Sequence, residues 1–184
     1  MPQHNDMKRR KHRAVSLLIA AAAMGIATAG GATQSNTATS NPTGCHAIGN
    51  VLPDPACTPG ATDPRVTQEN IGSTICVSGY TSTVRPPVSV TNPIKQERMQ
   101  AYGFTDSTAN YELDHLISLE LGGAPSDVKN LWPESYSTSP NAHTKDSFEN
   151  YLHREVCSGN MDLQTAQQQI SSNWLQYWNL AGNP

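Results

Sequence analysis

The chain has 184 residues, 36% of them hydrophobic, with 12 Lys and Arg against 15 Asp and Glu and a net charge of −3. This is enough chain for one modest core, and the acidic balance excludes the broad positive footprint of a protein that coats DNA or RNA. Four cysteines with no C-x-x-C knuckle favour two disulfides over a four-thiolate metal site.

In chain order, a basic stretch (Lys8 to Arg13) precedes an Ala-rich apolar run (Ala14 to Ala27) and a small-x-small exit, Ala27-Thr28-Ala29. This pattern predicts a secretory signal peptide over residues 1–29 and export to the secretome or cell envelope. The apolar run is short for a bilayer span of about 20 residues, so no membrane attachment is expected after cleavage. Cleavage removes Lys8, Arg9, Arg10, Lys11, Arg13 and Asp6, which leaves 7 basic and 14 acidic residues, a net of −7.

Residues 30–64 are expected to be a disordered Ser/Thr/Asn-rich linker followed by a Pro-rich loop, stapled by Cys45 and Cys57. The domain is expected over 65–184. Cys76 and Cys157 would form the second staple, although four cysteines allow three pairings. Thr67 is placed to cap a short helix to Ile75, and Cys76 to Val84 reads as extended. Asn92-Pro93 predicts a helix start with proline at its first position, running to Tyr102 and stopped by Gly103. Tyr111 to Leu121 predicts a strand that turns at Gly122-Gly123. Leu131-Trp132 predicts a second short extended piece, closed by Pro133. Lys145 to Val156 predicts a helix with Phe148, Leu152 and Val156 on one face. Asp162 is placed to cap a last helix to about Trp178, with Ile170, Trp174 and Tyr177 inward. The class expected is α+β, one domain, monomeric.

Asp114-His115 carries the chemistry. A carboxylate is a hard ligand for Mg²⁺ or Mn²⁺, and an imidazole takes protons near neutral pH. Adjacent strand residues point to opposite faces, so the pair meets at one site only if the strand ends or bends there. The blander alternative is a satisfied polar pair in a half-buried strand.

Asp114-His115-Leu-Ile-Ser-Leu-Glu-Leu-Gly122-Gly123 followed by Asn130-Leu131 resembles the HNH endonuclease family, the ββα-metal fold. The flanks, from Gly79-Tyr80 and Val84-Arg85-Pro86-Pro87 to Lys145-Asp146 and Val156-Cys157, resemble an exported bacterial subgroup of it. The resemblance implies a ββα-metal core with additional helices and metal-dependent hydrolysis of DNA or RNA. The nucleic acid would be a weakly bound substrate. Asp114 would bind one divalent ion, Mg²⁺ or Mn²⁺ before Zn²⁺. His115 would be the general base, and Asn130 would bond across the loop to orient it. Asn141, or else His143, would complete the metal site. Arg85 and Lys145 are candidate phosphate contacts, with an acidic partner for Arg85 and a plain exposed helix position for Lys145 as the alternatives. Ser118 stands where proline is common, and Asn141 lies four residues before Lys145 where three is common. The other reading of the same scaffold is a catalytically inactive binding or structural protein.

Overall fold

The computed structural model describes residues 44–184. The expected signal peptide and nearly all of the linker fall outside these residues. The chain runs through a 3₁₀ turn (Gln68–Ser73), α1 (Tyr80–Val84), α2 (Val88–Ala101), β1 (Tyr111–His115), β2 (Leu131–Ser135), α3 (Ala142–Cys157) and α4 (Leu163–Leu180). It is a mixed helical structure with one small sheet, as the α+β expectation requires. β1 and β2 pair antiparallel, with Tyr111 opposite Ser135 and His115 opposite Leu131. A two-stranded ribbon is marginal alone. Here α2 packs against both strands, and Trp132 is fully buried beneath it with Ala101 and Tyr102. Arg98 of α2 is also fully buried, and its Nε donates to the Leu131 carbonyl at 3.0 Å.

α3 opens on Asn141, whose Oδ1 accepts from the Thr144 amide at 3.2 Å. Its inward face carries Phe148, Leu152 and Val156, each 0% exposed. α4 opens on Asp162, whose Oδ1 accepts from the Thr165 amide at 2.8 Å. Ala166, Ile170 and Trp174 recur at helical spacing and meet the α3 face to make the main core. α4 breaks at Asn173, whose backbone is extended. The Asn173 side chain recaps the last turns by accepting from the Gln176 amide at 3.0 Å.

Four elements differ from the sequence expectation. Residues Tyr80 to Val84 are helical, not extended; five residues are too few for periodicity to tell the two apart. α2 begins at Val88, so Pro93 sits inside it; Pro87, not Pro93, precedes the first turn. β1 ends at His115, and the rest of the expected strand becomes a bend and a 3₁₀ turn over Leu119–Leu121. β2 passes through Pro133 to Ser135. Each strand has only one neighbour, so proline is tolerated where its nitrogen faces away from the ladder.

The Pro-rich loop packs against the rest of the described residues. Cys45 and Cys57 are buried with Tyr102 and Trp132. The Gly60 amide bonds the Lys129 carbonyl at 2.9 Å, and the Asp63 amide bonds Gly122 at 2.8 Å. The chain forms the Cys45–Cys57 and Cys76–Cys157 disulfides, which fit an oxidising compartment. The second closes a separation of 81 residues. In the chain-entropy account such a loop contributes about 4–5 kcal/mol.

Candidate functional site

β1 delivers Asp114 and His115 at its end. Strand alternation puts Asp114 on the same face as Glu112, and across the ladder that face is shared by Trp132 and Glu134. This face meets the start of α3. Lys145, one turn into that helix, lies on its buried side because it precedes Phe148 by three residues and Leu152 by seven.

The Lys145 side chain is 1% exposed and the Asp114 side chain 5%. The Lys145 ammonium donates to Asp114 Oδ1 at 3.0 Å and to the His115 carbonyl at 3.0 Å. It also pairs with the Glu149 carboxylate one turn along α3. Asp114 Oδ2 lies 2.9 Å from the same ammonium and accepts from the Trp132 indole at 3.1 Å. Both oxygens of Asp114 are therefore committed to internal partners.

Glu134 is 1% exposed, and neither of its oxygens has a hydrogen-bond partner among the described residues. Burial pushes its carboxyl well above the usual carboxylate range, and the nearby Asp114 charge adds to this. A neutral Glu134 also relieves the like-charge contact with Glu112 directly across the ladder. Burial pushes Glu149 up to about 8 against the pull of the Lys145 ammonium.

His115 is 7% exposed. Its Nε2 lies 2.9 Å from the Pro125 carbonyl, which accepts the ring proton and leaves Nδ1 with the lone pair. Burial holds the imidazole below its ordinary range, and the Arg85 and Lys145 charges act in the same direction. The ring is therefore neutral at pH 7, the state a proton acceptor needs.

Asn130 is fully buried. Its Oδ1 accepts from the Ile117 amide at 2.9 Å, and its Nδ2 donates to the carbonyls of Ile117 at 2.9 Å and Ala124 at 3.1 Å. It clasps the loop that carries Pro125, and so acts on the His115 ring only through that loop. Gly123 is required beside this clasp, because a Cβ there would meet the Ile117 carbonyl oxygen at 1.7 Å.

The other expected residues do not converge on Asp114. Asn141 is used as the α3 cap, and its Nδ2 donates to the Tyr136 carbonyl at 3.1 Å. The His143 side chain is 71% exposed, 3.5 Å from Asp146, and its ring stacks on Tyr136. Three residues before Lys145, the spacing common in the HNH pattern, stands Ala142, which carries no donor. Lys145 itself is not an exposed helix cation and presents no ammonium to solvent. Arg85 is exposed. It lines a groove of about 270 Å³ with Ser118, Glu120, Asp146, Glu149 and Asn150, so the setting around it is acidic.

This donor set does not fit a divalent ion at Asp114. A fixed ammonium already sits on the carboxylate, and Asn141 and His143 face elsewhere. Among the described residues the group with three ligand atoms within 4.8 Å of one another is Cys76, His153 and Cys157. That spacing could hold a metal ion, but with the two sulfurs joined as a disulfide neither is a thiolate.

Glu134 and Glu149 were not anticipated from sequence. Glu149 had a readable signal, since it follows Lys145 by four residues on a helix. Glu134 alternates with Trp132 along an extended run, which places both on one face. No family model, curated protein or solved structure matches the chain.

Proposed function

We propose that the chain is an exported protein on an HNH-like ββα scaffold, in which the Lys145 ammonium takes the place of the divalent ion. On this reading it is a binding or structural module of the cell envelope or secretome, not a metal-dependent nuclease. The observation that carries the reading is the saturation of Asp114 by Lys145 and Trp132. The groove beside Arg85 supports it, because the exposed Asp146 carboxylate there carries the same charge as a polyanionic backbone.

A second reading, a nuclease with His115 as general base, has its own support. The neutral imidazole is fixed by the Pro125 carbonyl, and Arg85 is a cation close enough to affect it. In that reading Asp114 must exchange the ammonium for a metal ion.

Plasmid and RNA cleavage by the mature, oxidised protein separates the two. It is run with Mg²⁺, Mn²⁺, Zn²⁺ or EDTA, beside His115→Ala. The proposal expects no cleavage above the mutant under any metal. Metal-dependent cleavage that disappears in His115→Ala establishes the nuclease.

A further inference from the structure

We propose that the Cys76–Cys157 staple, once reduced, is a zinc site completed by His153. It is separate from the Asp114 cluster and does not rest on the function proposed above. One ligand atom from each of Cys76, His153 and Cys157 falls within 4.8 Å of the others. Two thiolates and an imidazole are donors that zinc takes readily. His153 and Cys157 stand at i, i+4 on α3 and so share a face, while Cys76 comes from the segment before α1. A metal ion would therefore join the same two segments that the disulfide joins, with little movement of either.

The imidazole is already oriented. Its Nε2 lies 2.9 Å from the Ile75 carbonyl, which accepts the proton on that nitrogen and fixes the ring plane. Histidines that bind metals commonly hold the remote nitrogen on such a carbonyl. Nδ1 faces Glu120 Oε2 at 3.9 Å, too far for a hydrogen bond. Glu120 Oε1 is buried and has no hydrogen-bond partner among the described residues. A cation held by His153 would place positive charge beside this carboxylate, which makes Glu120 a group that orients the imidazole rather than a ligand. A cavity of about 310 Å³, lined by Cys76, Tyr80, Glu120 and His153, opens onto this cluster.

The chemistry runs in two balanced steps. A dithiol reductant gives two electrons and two protons to the Cys76–Cys157 bond, which becomes two thiols while the reductant becomes a disulfide. Zn²⁺ then binds both sulfurs and displaces the two thiol protons. Cys157 is exposed, so a reductant can reach the bond. The staple thus has an oxidised covalent form and a reduced metal-bridged form.

The test uses the full mature protein, reduced anaerobically with a phosphine, which becomes the phosphine oxide, and titrated with Co²⁺ as the probe. The expected result is a thiolate-to-cobalt charge-transfer band that saturates at one ion per chain and is displaced by Zn²⁺. Mass mapping after alkylation should find Cys76 and Cys157 protected by Zn²⁺ while Cys45 and Cys57 react. His153→Ala should weaken the ion by at least about tenfold, and Glu120→Gln by about tenfold. The oxidised protein should give no band. The proposal is overturned by the absence of a band, by unchanged affinity in His153→Ala, or by protection confined to Cys45 and Cys57. A reduced protein that loses its near-ultraviolet circular dichroism and does not regain it with Zn²⁺ also overturns it.

Discussion

Lys145→Met is expected to destabilise the fold by about 3–5 kcal/mol, the usual range when one partner of a buried charge pair is removed. Methionine fills much of the volume, so the loss is electrostatic. Asp114 and Glu149 lose the ammonium that both contact, and Glu134 loses a neighbouring positive charge. The pH dependence distinguishes this cause from a packing defect. A carboxyl raised by burial, such as Glu149 at about 8, holds its proton in the folded state at pH values where the unfolded chain has lost it. Its contribution to stability is therefore present at low pH and is lost as pH rises through the folded value. Without Lys145, Glu149 and Glu134 hold their protons to still higher pH. The deficit of the variant should be largest above pH 8 and smaller near pH 5. Urea unfolding of both proteins at the two pH values measures it. A deficit below about 1 kcal/mol, or one equal at both pH values, contradicts the electrostatic cause.

The second large effect is expected at Asn130. Asn130→Ala leaves the Ile117 amide and the carbonyls of Ile117 and Ala124 without the partner they now have. Each stranded buried group costs about 1–3 kcal/mol, and partial relaxation brings the expected total to about 3–5 kcal/mol. The loss should be local before it is global. Amide exchange should accelerate over residues 117–124, the loop that supports the Pro125 carbonyl and through it the His115 ring. Unchanged protection there, in a folded variant, would show that the loop is held by other contacts.

Much of this was legible in the chain. The two disulfides, the Asp162 position at a helix start and the apolar face of α3 follow from residue types at fixed spacing, whereas α3 begins at Ala142, three residues before the expected Lys145. Asn130 was readable as a residue that bonds across the loop, because the HNH resemblance placed it there. The bond runs to Ile117 and Ala124 rather than to His115, a detail of loop path that no pattern encodes. β1 ends at His115 although apolar residues continue to Leu121, because the Ile117 amide bonds the Asn130 side chain rather than a strand and the chain bends there. Hydrophobicity alone does not mark that bend.

The largest change concerns Lys145. Its type pointed to solvent and phosphate, whereas its position, three residues before Phe148, pointed inward. A lysine goes inward only where carboxylates receive it, and Asp114 and Glu149 do so from two separate elements. Half of that arrangement, Glu149 four residues after Lys145, was open to helix spacing although the sequence reading did not use it. The other half depended on the strand register that sets Asp114 beside Trp132 and brings Glu134 to the same face.

The central claim is that an ammonium, not a metal ion, neutralises Asp114. The most direct measurement follows the His115 ring resonances of the mature, oxidised protein, assigned with His115→Gln, as Mn²⁺ is added to one equivalent. His115 follows Asp114 in sequence, so a Mn²⁺ ion bound at Asp114 would broaden its ring signals beyond detection. The account predicts that they stay sharp while exposed His143 serves as a surface control. Selective broadening of the His115 signals, reversed by EDTA, would contradict it and would place a metal ion where Lys145 is found.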